Sequence, residues 1–180
     1  YILVVSTNGA FSQSPYRLEV SSTPLESYGE CHTFITPGPA TSVYTGTGVT
    51  APQTLILLNY QRMGGLYGSA AASSLLNKLH TLADHPAVQG VVVPVENDPA
   101  VSSAYANWDN YNACDPNAAN LVGDAIKSIV LSYYQAYSPT LKYVVIVGDD
   151  LVIPFRRVPD AAYIANESAY VSAAGLEANN

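Results

Sequence analysis

Three short, wholly apolar runs decide what this chain can fold into. They are Leu55-Ile56-Leu57-Leu58, Val91-Val92-Val93 and Tyr143-Val144-Val145-Ile146-Val147. Each is too short for a buried helix, and none alternates polar with apolar, so each reads as a strand buried on both faces. The segments between them have helical spacing. From Ser69 to Ala83, the residues Ala72, Leu75, Leu76, Leu79 and Leu82 recur at intervals of three and four. Asp84-His85-Pro86 stops that helix. Asp98-Pro99 and Asp115-Pro116 each place a capping carboxylate before a proline at the first helical position. The first starts a short helix through Trp108. The second starts a longer one, with Leu121, Val122, Ala125, Ile126, Ile129, Val130 and Tyr134 on one side and Ser138-Pro139 at its end. Strand, helix, strand, helices, strand predicts a three-layer α/β/α domain on a mostly parallel sheet.

The remainder of the chain reads differently. Tyr1-Ile2-Leu3-Val4-Val5, the turn dipeptide Asn8-Gly9 and the alternating Tyr16-Arg17-Leu18-Glu19-Val20 predict a β-hairpin. A lone hairpin is marginal in water, so it belongs to a preceding β-module or docks on the α/β body. Ser21-Ser22-Thr23-Pro24 and Thr36-Pro37-Gly38-Pro39 interrupt regular structure. The expected organisation is a hairpin over 1–23, a linker over 24–53 with room for one short strand, an α/β unit over 54–165 and an irregular tail over 166–180. The chain opens at Tyr1 as if inside a strand, and the expectation is a piece of a longer, exported protein.

Of the 180 residues, 48% are hydrophobic and 12% charged, so the surface relies on uncharged polar side chains and half-buried tyrosines. The net charge is −7, with Arg156-Arg157 the only adjacent basic pair. Nucleic-acid binding draws on phosphate neutralisation, and this chain offers little of it. No apolar run reaches the roughly 18 residues of a membrane span.

The candidate site residues are few. Asp149 and Asp150 directly follow the third strand, where open parallel sheets gather ligands. They suit a calcium ion, or they hydrogen-bond the loop Ile153-Pro154-Phe155-Arg156-Arg157 or pair with an arginine. Cys31 and Cys114 form one disulfide or remain thiols; neither has zinc spacing. Neither follows a buried strand, and Cys31 beside His32 is badly placed for a thiol–base pair. His80 and His85 read as helix-boundary residues. Gly46-Thr47-Gly48 precedes a strand and is no dinucleotide fingerprint, and Gly64-Gly65 with Gly68 reads as a flexible strand-to-helix connection. Asn166-Glu167-Ser168 has the glycosylation-acceptor pattern.

Two segments carry a family resemblance. YILVVSTNGAFSQSPYRLEVSST (1–23) resembles the end of the bacterial pre-peptidase C-terminal domain. TLILLNYQRMGGLYG (54–68), GVVVPVENDPAVSSAYANWD (90–109) and YVVIVGDDLVIPFRRVPD (143–160), with Ala165-Asn166-Glu167-Ser168, resemble the first part of the peptidase domain of gingipain-like cysteine peptidases. The resemblance implies a secreted or cell-surface protein with a caspase-like peptidase domain of two α/β subdomains. It implies that this chain supplies the non-catalytic one, with calcium a possible ligand. Its partners would be the catalytic subdomain of the same polypeptide and a protein or peptide substrate. The family's His–Cys dyad maps onto no residue here, so the chain alone is expected to be inactive, with an apolar patch near one sheet edge where the second subdomain docks. The alternative is an inactive caspase-like binding or structural module of a large surface protein.

Overall fold

The structure, a computed structural model, describes residues 35–110 and 115–158. The hairpin over 1–23, both cysteines and the tail over 166–180 lie outside the described residues. The elements run β1 (Tyr44–Thr45), β2 (Thr54–Leu58), α1 (Tyr60–Tyr67), α2 (Ser69–Asp84), β3 (Gly90–Pro94), a 3₁₀ turn (Val95–Asn97), α3 (Pro99–Asn110), α4 (Pro116–Tyr137) and β4 (Tyr143–Val147). The chain is thus of the α/β class, with a sheet ordered β1-β3-β2-β4. β2 pairs in parallel with β3 (Leu55 beside Val91) and with β4 (Leu55 beside Val144), while β1 runs antiparallel to β3.

β2 is the centre of this arrangement. With a strand on each side and helices packed on the sheet, Leu55, Ile56, Leu57 and Leu58 lose all contact with solvent. Each such side chain contributes roughly 1.5–3 kcal/mol on burial. The path from β2 through α1 and α2 leads to β3 on one side. The path from β3 through α3 and α4 returns past β2 to place β4 on the other.

Three of the described helices, α1, α3 and α4, start at capping side chains. Asn59 accepts from the N–H of Arg62, Asp98 from those of Ala100 and Val101, and Asp115 from that of Asn117. Gly68, at φ +88°, separates α1 from α2 with a conformation that side-chain-bearing residues rarely adopt. The core faces are narrower than the apolar spacing predicts. In α2 the buried residues are Ala72, Leu76, Leu79 and Ala83, while Leu82 is exposed; in α4 they are Ala118, Ala119, Val122, Ile126 and Ile129, while Leu121 and Tyr134 are exposed.

Two expectations are corrected here. The first concerns Gly64-Gly65, which are not a flexible connection but lie inside α1. Their lack of side chains lets residues 36–38 cross the helix: the N–H of Gly38 donates to the carbonyl of Gln61 at 2.8 Å. A β-carbon on Gly65 would sit 2.3 Å from the Thr36 carbonyl oxygen. Part of the predicted linker is therefore packed on the α/β body, and its short strand β1 joins the sheet.

The second is β4. It forms and pairs as a strand, but it is not buried: Tyr143 is 60% and Ile146 57% exposed, and Val144 and Val145 are exposed as well. The reason is sheet order. A strand reached by crossing past β2 becomes the outermost one, and no described residue covers it.

Gly65→Val should lower stability by about 1–3 kcal/mol, because overpacking against the crossing segment outweighs the gain in helix propensity. Urea denaturation measures the loss. Faster proteolysis within residues 35–43 would show that the crossing segment has lifted.

Candidate functional site

The carboxyl ends of β2, β3 and β4 converge on a buried arginine. Asn59 follows β2 directly and caps α1, and one turn later Arg62 points back under the helix, only 5% exposed. A buried guanidinium requires a counter-charge and acceptors for its N–H groups. Asp109, on α3, supplies both its oxygens in a bidentate pair at 2.5 and 2.9 Å. The Arg62 Nε–H donates to the carbonyl of Leu151, in the loop after β4. Tyr105 and Trp108 lie with ring centroids 5.1 and 5.0 Å from the guanidinium carbon, close enough for cation–π attraction. Tyr105 in turn donates its hydroxyl to the Val152 carbonyl at 2.6 Å. Burial pushes the Tyr105 phenol far above its ordinary range. One residue thus ties α1, α3 and the loop after β4 together.

Beside this cluster is a cavity of about 410 Å³, whose lining includes Thr36, Gln61, Arg62, Glu96, Ser102 and Asp109. Glu96 Oε1 accepts from the N–H of Gln61 at 3.1 Å, while its Oε2 is buried without a partner. Burial raises the Glu96 pKa above its ordinary 4.5. Arg62 is the one cation among the described residues that line the cavity, and it donates to Asp109 and to Leu151.

Asp149 and Asp150 stand in the loop after β4, and their carboxylates are also in use. Asp149 Oδ1 accepts from the N–H groups of Leu151 and Val152, and its Oδ2 accepts the Tyr67 hydroxyl at 2.7 Å. The Tyr67 hydrogen bond and the loop amides lower the Asp149 pKa, and the same hydrogen bond raises that of Tyr67. Asp150 forms a bidentate pair with Arg157 at 2.5 and 2.7 Å and accepts from the N–H of Phe155 at 2.6 Å. Both residues shape the loop through 157. Among the described residues no group of three or more His, Cys, Asp or Glu gathers to hold a metal ion.

His80 and His85 stand apart from this cluster. His80 stacks on Tyr44 at 3.9 Å, its Nε2 is buried without a partner, and burial lowers its pKa. Tyr44 also donates to Asp84 at 2.9 Å, so the contact holds β1 against α2. His85 Nδ1 accepts from the N–H of Ala87 in the turn that ends α2. No helix among the described residues is long and apolar enough to cross a membrane.

Sequence reasoning passes over Arg62, Asp109 and Glu96. Arg62 and Asp109 are 47 positions apart, and nothing local joins them. The available signal is compositional: with only 7 Lys and Arg in the chain, an arginine between a buried strand and a Gly-Gly pair is out of place on a solvated face. Tyr105, Trp108 and Asp109 fall within one turn of a helix and share a side of it.

Asp109→Ala would leave Arg62 charged, buried and unpaired, at an expected loss of about 3–5 kcal/mol in a urea titration. Glu96 makes a pH prediction. Its folded pKa is raised, so the stabilisation it allows is complete below its ordinary pKa of 4.5 and is lost as pH rises through the folded value. The urea midpoint of Glu96→Gln relative to wild type should therefore increase as pH is raised from 4 towards 8, and a flat difference would refute the assignment.

Comparison of the chain with protein-family models, with curated proteins and with solved structures finds no match.

Proposed function

We propose that this chain is the non-catalytic α/β subdomain of a secreted or cell-surface gingipain-like cysteine peptidase, and that it buttresses a catalytic subdomain of the same polypeptide. The supporting observation is β4, an edge strand whose five residues are all apolar or aromatic and largely exposed. A parallel edge strand of this composition is an interface or an aggregation hazard. The motif resemblance over 54–68, 90–109 and 143–160 supplies the identity of the partner. The polar groups at the strand ends support a buttressing role: Arg62, Asp109, Asp149 and Asp150 hold elements together.

In this reading the domain has three layers. The crossovers from β2 to β3 and from β3 to β4 run in opposite directions across the sheet, and right-handed crossovers place α1–α2 and α3–α4 on opposite faces of it. The hairpin over 1–23 ends a preceding β-module.

A peptidase assay tests the proposal. The 180-residue chain and the same reading frame extended by about 150 residues, a further domain's length, would each meet a mixed fluorogenic peptide library with reductant and calcium. Activity in the longer protein alone, abolished by thiol alkylation, is the expected result. Silence from both, with folded protein, would overturn the peptidase reading in favour of a binding or structural module.

A further inference from the structure

The free edge of β4 has a direction and a pattern, and both point to an occupant. The N–H of Tyr143 donates to the Gln53 carbonyl, towards β2. Main-chain groups alternate sides along a strand, so those of Val145 and Val147 also face β2, and those of Val144 and Ile146 face outwards. An antiparallel strand added at this edge must pair with Val144 and Ile146. Lys142 stands exposed just before the strand, and Asp149 stands exposed after it. Asp150 is already neutralised by Arg157.

We propose that this edge is self-complementary, and that two copies of the chain associate through β4 strands paired antiparallel about Val145. The inference rests on the proposed function in one respect, the premise that β4 is an interface; it concerns the 180-residue chain by itself, since a catalytic subdomain docked on this edge would take the second copy's place. A two-fold axis at Val145 sets Val144 opposite Ile146 of the second copy, so the outward main-chain groups of both strands hydrogen-bond each other. Tyr143 then faces Val147 of the second copy, an aromatic to β-branched pair of the kind that stabilises antiparallel sheets. Val145 meets its own symmetry mate. Each β4 side chain gains a cross-strand neighbour on its open flank, with β2 on the other.

Charge selects the same orientation. Antiparallel pairing carries the Lys142 end of one strand to the Asp149 end of the other, twice over by symmetry. A strand added in parallel from another copy would align Lys142 with Lys142 and Asp149 with Asp149. The contact closes on itself and makes a dimer rather than a fibre.

Sedimentation velocity over a concentration series, with the 180-residue chain, should show a monomer–dimer equilibrium. Val145→Lys places like charges across the axis and should weaken association by at least about tenfold, with unchanged far-ultraviolet circular dichroism. A crosslinking experiment reads the register. In a Cys31→Ser, Cys114→Ser background, Val145→Cys should give a covalent dimer on oxidation, while Val144→Cys, which faces Ile146, should not. Equal crosslinking at both positions would overturn the register and the proposal. A chain that stays monomeric at all concentrations but binds a hydrophobic dye, less so after Val145→Lys, would overturn self-pairing and leave the proposed function standing. A monomer with no dye binding would remove the premise of both.

Discussion

Arg62 is the residue on which the upper side of this sheet depends. Removing a guanidinium from water is costly, and the fold offsets that cost with a bidentate counter-charge and hydrogen bonds in fixed directions. Here the acceptors come from α3 and from the loop after β4, and two aromatic rings of α3 lie within cation–π distance. The arginine therefore sets the position of three segments that the apolar core leaves free to slide. Hydrophobic burial is non-directional, and β2 would be as dry with α3 shifted by a residue. The bidentate pair removes that freedom.

The same economy governs the remaining polar groups at the strand ends. In a chain with so few charges, Asp149, Asp150, Arg157 and Asp109 are each paired within the fold. Such residues after a parallel strand are where ligands commonly bind. Here they fasten a loop across the ends of the strands. Glu96 is the exception, a carboxylate with one oxygen on an amide and one without a partner.

The reactive part of the molecule, in the physical sense, is then the sheet edge. β4 carries the apolar pattern of an interior strand in the position of an exterior one. The contrast with β2 is direct, since both are five-residue apolar strands and they pair in register. Only the number of neighbours separates them. A sheet that ends in such a strand favours continuation, whether by a further subdomain of a longer polypeptide or by another copy of itself.

Much of this was legible in the residues. The apolar runs marked β2, β3 and β4, and the Asp-Pro pairs marked where α3 and α4 begin, because capping is a local hydrogen bond between near neighbours. The alternation of strands with helices was enough for the α/β class and a mostly parallel sheet. Asp149 and Asp150 were visible as candidates through their place after a strand, yet their engagement with Tyr67 and Arg157 was one of several possibilities. What only the tertiary structure decided was non-local. Sheet order put β4 outside although its composition matched β2, since periodicity reports which faces are apolar and says nothing of what covers them. The pairing of Arg62 with Asp109, and the helical place of Gly64 and Gly65 beneath residues 36–38, depend on contacts between distant segments that no spacing rule encodes.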